Sequence, residues 1–267
     1  MFGGRSSKNL ADVWQYFEGE WKDISPMAGP QPSARRGFAA AFHPDLGLVV
    51  FGGDDGTTST HYPPGTWVLD GVWTLLDGVE PGPRAFATME YFPPSNSLIL
   101  VGGHDINGTA NRETWALDDD GQWAPLASAL LPVRAFHTMA FDPIGERLLL
   151  HGGCQSPPTC NSTALDDTWE WKNEEWNLLL TGETTTDYGG VMTKGTADQT
   201  IFRFTRSNEV ITTHRWSDER WLSVDTDKPP IGDKFQAAYY DPDNSVIAFG
   251  GNDGKSYQGD TWRFHCQ

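Results

Sequence analysis

The stretch covering residues 134–176 decides the fold: Arg134-Ala-Phe-His-Thr-Met-Ala-Phe-Asp-Pro, then Arg147-Leu-Leu-Leu-His-Gly-Gly, then Asp167-Thr-Trp-Glu-Trp171, then Trp176. Four short runs of β-favouring residues are separated by turn-forming segments, which is the pattern of four antiparallel strands in one small sheet. Working outward, the same pattern returns at nearly constant spacing. Double glycines begin at Gly3, Gly52, Gly102, Gly152 and Gly250, with gaps of 49, 50, 50 and 98 residues, the last being two periods with one glycine pair lost. A fixed period of this length marks a repeat architecture, in which a lone sheet with two apolar faces is stable only between neighbours.

Each strand of the repeat has its own mark. First strands open at Arg35, Arg84 and Arg134, with Asp187 and Asp233 at the equivalent places of two further repeats. Second strands are apolar on both sides and close on Gly52-Gly53, Gly102-Gly103, Gly152-Gly153 and Gly250-Gly251, where a glycine suits a sharp exit from the strand. Third strands carry Trp14, Trp67, Trp115, Trp169 and Trp262, and fourth strands begin near Trp21, Trp73, Trp123, Trp176 and Trp221. With Trp171 and Trp216 counted as companions in third strands, all 12 tryptophans fall on repeat positions, so packing between sheets accounts for each of them. The fourth repeat is worn. Its glycine pair becomes Thr205-Arg206 and its third-strand Trp becomes His214, while Ile201, Trp216 and Trp221 keep the spacing.

The opening Arg, the Gly-Gly and the two spaced tryptophans resemble the kelch-repeat family, and the resemblance covers nearly the whole chain. It implies an all-β fold, a β-propeller of four-stranded antiparallel blades. The expectation is a single domain over residues 1–267, with repeats near 1–25, 33–80, 82–128, 132–180, 183–224 and 231–267. Six blades are favoured, the terminal ones incomplete. The alternative of five holds if the strand around Trp21 closes the last sheet, which leaves the strand around Trp14 redundant. Met1 stands where a strand residue belongs, so the chain reads as a piece of a longer protein.

Composition narrows the function. With 19 Lys plus Arg against 36 Asp plus Glu, the net charge is -17 and the pI about 4.6, which disfavours nucleic acid and anionic membranes as partners. No apolar run reaches the roughly 18 residues that span a bilayer, so membrane insertion is not expected. Cys154 and Cys160 bracket the loop Gln-Ser-Pro-Pro-Thr and are a disulfide candidate, with Cys266 left over. A bridge there favours an extracellular or periplasmic setting, with free thiols and the cytoplasm as the alternative; Asn107 and Asn161 open sequons in loops, which carry no such information in most bacteria.

Strand alternation puts the loops after second and fourth strands on one face. The long, variable loops, residues 54–64, 104–112, 154–166 and 252–259, all belong there, and insertions on one face are where repeat scaffolds bind. Arg35, Arg84, Arg134, Asp187 and Asp233 are the candidate ligand residues. If first strands are innermost, as the resemblance implies, they lie near the channel mouth, where a carboxylate or sugar acid would meet the arginines. The competing reading makes each Arg an internal tie within its blade. Asp55, Asp105 and Asp253 follow glycine pairs and read as Asx turns, with calcium as the alternative. No metal-ligand or nucleophile motif is present among the histidines and serines, and no cofactor is expected. The leading reading is a noncatalytic scaffold that offers its loops to a protein or glycan. The rival is a carbohydrate-active enzyme at the channel mouth, similar to sialic-acid mutarotase. A copper enzyme similar to galactose oxidase fits less well, because the cysteines stand in one loop and at the end of the chain.

Overall fold

The computed structural model describes residues 1–25, 29–57, 61–157, 160–182, 189–195, 199–207, 210–224, 235–252 and 255–265. The chain divides into two compact units, Met1–Leu126 and Ala127–Gln267. Among the described residues the only helical segments are three single 3-10 turns; everything else regular is antiparallel strand.

The first unit holds three sheets. The first is β1 (Phe2–Arg5), β2 (Asn9–Phe17) and β3 (Glu20–Asp23); the second is β4 (Ala39–His43), β5 (Gly47–Phe51), β6 (Thr66–Asp70) and β7 (Val72–Leu75). The third is β8 (Thr88–Phe92), β9 (Ser97–Val101), β10 (Thr114–Leu117) and β11 (Trp123–Leu126). The second unit holds three more. The fourth sheet is β12 (Thr138–Asp142), β13 (Arg147–His151), β14 (Thr168–Lys172) and β15 (Glu175–Leu180). The fifth is β16 (Val191–Lys194), β17 (Ile201–Ser207), β18 (Val210–Ser217) and β19 (Arg220–Val224); the sixth is β20 (Gln236–Tyr240), β21 (Ser245–Phe249) and β22 (Thr261–His265). Every sheet is a meander with strands in chain order. The worn repeat forms the complete, four-stranded fifth sheet, and β2, which carries Trp14, pairs between β1 and β3 in a sheet of its own.

Within each unit, neighbouring sheets share apolar seams. Phe2, Val13, Val50 and Trp73 fill the seam between the first and second sheets, and Phe51, Val68, Leu98, Leu100 and Trp123 that between the second and third. In the second unit Ala140, Leu149, Met192, Ile201 and Trp221 fill one seam, and Phe202, Phe204, Phe235 and Val246 the next. A buried Trp removes about 150–250 Å² from water, roughly 4–6 kcal/mol gross at about 25 cal/mol per Å².

Three polar ties recur in these seams. First, the glycine pair lets the next sheet's chain approach. Gly4 N–H donates to Arg35 O at 3.1 Å, and Gly53 N–H to Arg84 O at 2.9 Å. A Cβ on Gly52 would stand 2.3 Å from the Arg84 carbonyl oxygen, and its φ of +67 is left-handed, so a side chain there is excluded twice.

Second, the residue two beyond each first-strand Arg or its equivalent is left-handed: Gly37, Phe86, Phe136 and Gly189 have φ of 62, 57, 60 and 78. Phe86 N–H donates to Gly37 O at 2.6 Å and Gly189 N–H to Phe136 O at 2.8 Å, so the backbone of one sheet ties to the same position of its neighbour. A left-handed Phe is costly in isolation, and this bond holds it there.

Third, the indole N–H of a fourth-strand Trp donates to the Thr hydroxyl of the preceding sheet's third strand. Trp123 reaches Thr66 Oγ1 at 2.8 Å, and Trp221 reaches Thr168 Oγ1 at 3.0 Å.

Candidate functional site

The opening arginines lie inside their sheets. Arg35, Arg84 and Arg134 are 1, 4 and 0% exposed. Each donates back to the carbonyl two residues earlier, Ser33, Gly82 or Pro132, and forward to the first carbonyl of its glycine pair, Gly52, Gly102 or Gly152. Arg134 adds a bidentate pair with Asp167, at 2.9 and 2.7 Å, and Arg84 pairs with Glu113. These acids come from the residue before Thr-Trp in the third strand. They also accept the indole N–H two residues on, from Trp169 at 2.6 Å and Trp115 at 3.2 Å. Burial raises Glu113, but its bonds to Arg84 and Trp115 outweigh this and hold the carboxyl below its ordinary range. In the second sheet Gly65 stands where the acid would be, and Arg35 bonds the Ser33 hydroxyl instead. Burial lowers that guanidinium to about 10, partly opposed by Asp55. Asp187 and Asp233 lie outside the described residues.

What the first unit gathers where its long loops leave the sheets is a different set. Arg36, one residue beyond the buried Arg35, keeps 39% of its side chain exposed and clasps Asp54 Oδ2 through Nε and Nη2 at 3.0 and 2.8 Å. Asp54 Oδ1 accepts Gly56 N–H at 2.7 Å and lies 3.8 Å from His61 Nδ1. Burial raises Asp54, and the bonds from Arg36 and Gly56 with the charges of Arg36 and His61 more than reverse it. Beside this pair stands an aromatic column. Gly37 makes room for the Phe86 ring, which stacks on His104 at 5.4 Å and 15°, and Tyr62 meets His104 edge-on at 5.7 Å. His104 Nδ1 is 2.9 Å from Asp105 O and 3.3 Å from Tyr62 Oη. A carbonyl only accepts, so Nδ1 carries the proton there. Burial raises the Tyr62 phenol, with Asp54 and Asp105 adding to the shift and Arg36 opposing it.

The remaining loop acids serve their own turns. Asp55 Oδ1 accepts Thr57 N–H at 2.8 Å, and Asp105 Oδ1 accepts Asn107 and Thr109 N–H at 2.9 and 2.8 Å. Asp253 and Cys266 lie outside the described residues. Among the described residues no group of three His, Cys, Asp or Glu side chains is arranged to hold a metal ion. Cys154 and Cys160 are joined by a disulfide, both sulfurs buried, with Cα atoms 5.3 Å apart. It staples the start of the loop that follows Gly152 and Gly153 in the chain.

Sequence reasoning missed Arg36, Tyr62 and His104, which lie in different repeats or in loops without a fixed pattern. It also missed the Thr of the Thr-Trp pair, whose recurrence in four of five triplets was the available sign.

No protein-family model matches the chain, and no curated protein matches it. No helix is long and apolar enough to cross a membrane among the described residues. A solved structure titled "Structure of YjhT", of a propeller protein, is similar with a TM-score of 0.69 and 14% identity, covering 94% of this chain and 87% of that one. With six antiparallel sheets in chain order and this likeness over nearly the full length, the fold is an all-β, six-bladed β-propeller.

Proposed function

We propose that this chain is a noncatalytic propeller of the kelch type that binds a protein or a glycan through the loops following its second strands. The observation that carries the reading is where the ionisable groups go. Arg35, Arg84, Arg134 and Arg147 are spent on carbonyls and carboxylates inside the sheets, and Asp54, Asp55 and Asp105 on arginine or loop N–H groups. Among the side chains the loops hold out, beside polar Asn107, Arg112 and Lys255, are half-buried Tyr62, and Ile106 and Tyr257 at 58 and 44% exposure. Aromatic faces at these positions suit stacking on a sugar ring or a partner's side chains more than proton transfer.

The rival reading, an enzyme working on a sugar acid at the channel mouth through Arg35, Arg84, Arg134, Asp187 and Asp233, needs arginines that release their internal partners. One experiment separates the two. A glycan array is probed with the parent, Tyr62→Ala, Tyr257→Ala and Arg84→Ala, and exchange of sialic-acid anomers is followed by NMR with the same proteins. The binding reading expects array signal that falls at least fivefold in a tyrosine variant, with no catalysed exchange. Catalysed exchange that Arg84→Ala abolishes overturns it in favour of the enzyme.

A further inference from the structure

Strand registers align the six sheets residue by residue, and three departures from the pattern meet in one seam. The position filled by Phe2, Phe51, Val101, Phe204 and Phe249 is His151 in the fourth sheet. The position filled by Val50, Leu100, Leu150 and Ala248 is Arg203 in the fifth. Its cross-strand partner, elsewhere Trp67, Trp115, Trp169 or Trp262, is His214. His151 and Arg203 are each 1% exposed and approach the same indole from the two sheets. His151 meets the Trp221 ring at 6.0 Å, and the Arg203 guanidinium lies over it at 4.6 Å. Polar side chains have thus replaced apolar ones on both walls of a single seam.

We propose that the seam between the fourth and fifth sheets is an acid-sensitive joint, which protonation of His151 and His214 opens by placing new positive charge beside Arg203 and Arg134.

The bonding at His151 allows it to be neutral and no more. Trp221 donates to Thr168 Oγ1 at 3.0 Å, and His151 Nδ1 lies 2.9 Å from that same oxygen. Nε2 is buried with no hydrogen-bond partner, as is His214 Nδ1. An imidazolium would bury a second N–H donor and a charge with nothing to receive them. Among the described residues, the ionisable groups around it are Arg134 and Asp167 of the fourth sheet and Arg203 and His214 of the fifth. The Asp167 oxygens already hold Arg134 and Trp169. At the far end of the seam Arg147 joins Asp142, Glu170 and, across the seam, Glu219.

Burial, then the charges of Arg203, Arg134 and His214, hold His151 well below its ordinary 6.5; burial and Arg203 lower His214 to about 4. Both folded values lie below the unfolded value. The open state therefore binds more protons, and stability is full above about 6.5 and is lost as pH falls towards 4. Each histidine can raise the opening constant by up to about tenfold per pH unit, so the pair can reach about a hundredfold. His151 is followed directly by Gly152, Gly153 and Cys154, so opening slackens the base of the loop at residues 154–166.

The test is amide exchange from pH 7 to 4 on the whole chain, corrected for intrinsic rates, in the parent, His151→Phe and His214→Trp. Each variant installs the residue other sheets carry at that position. The parent should gain opening at Thr168 and Trp221 well beyond that at Thr66 and Trp123, the same tie in another seam, and His151→Phe should remove most of the gain. Equal gain in both seams, or an unchanged response in folded His151→Phe, overturns the proposal. The parent's His151 ring, followed by NMR, decides it without any variant. Titration near 6.5 with the seam still protected refutes the joint, and titration only together with loss of protection supports it.

Discussion

The Thr-Trp tie makes its own prediction at the one third strand without a threonine. In β2 the triplet reads Asp12-Val13-Trp14, and the fourth-strand indole that packs on Val13 is that of Trp73, 4% exposed with no hydrogen-bond partner at Nε1. Val13→Thr changes one methyl to a hydroxyl where Thr66 and Thr168 accept such an indole at 2.8 and 3.0 Å. Leaving a buried donor unpaired costs about 1–3 kcal/mol, while losing one buried methyl costs about 0.8 kcal/mol. The expected net is a stabilisation of about 1 kcal/mol, a rise in Tm of roughly 2–4 °C at this chain size. The reverse exchange, Thr66→Val, orphans Trp123 and should cost about 1–3 kcal/mol. Urea unfolding followed by tryptophan fluorescence, with the Trp73 indole proton observed by NMR, measures both. If Thr66→Val lies within about 0.5 kcal/mol of the parent and Val13→Thr destabilises, the tie does not hold the seams and the reasoning fails.

Other expectations follow from the same geometry. Asp167→Ala strands the fully buried Arg134 and should cost about 3–5 kcal/mol. Glu113→Ala should cost under about 1 kcal/mol, because Glu113 is 52% exposed and Arg84 keeps its carbonyl and Asn111 bonds, as Arg35 manages with no acid at Gly65. Denaturation curves of the two variants side by side check the ratio. Replacing Cys154 and Cys160 by Ala opens a link of sequence separation 6 and should lower stability by about 2 kcal/mol. The same loss on adding reductant to the parent confirms that the bond is the cause.

The repeat made the sheets legible. Arg134, Gly152, Thr168 and Trp176 recur because each answers a local demand that several sheets share: an internal cation, a left-handed turn, a third-strand hydroxyl and an apolar slab. A period in the sequence is the direct record of such demands. It also exposed the worn fourth repeat, and the structure builds that repeat as a full sheet because Ile201, Phe204, Trp216 and Trp221 still supply its apolar faces. The burial of the arginines was one of two readings open to the sequence, since a guanidinium at a strand start can point to carbonyls or to solvent, and only packing against the glycine pair selects between them.

The chain alone thus determined where the strands run, where they turn and which positions in them are apolar, since these depend on neighbours a few residues away. Tertiary structure decided what distant positions do together. Tyr62, Phe86 and His104 form one column beside Arg36, and His151, Arg203 and His214 share one seam, because sheets some fifty residues apart in sequence lie face to face, a proximity no linear pattern encodes.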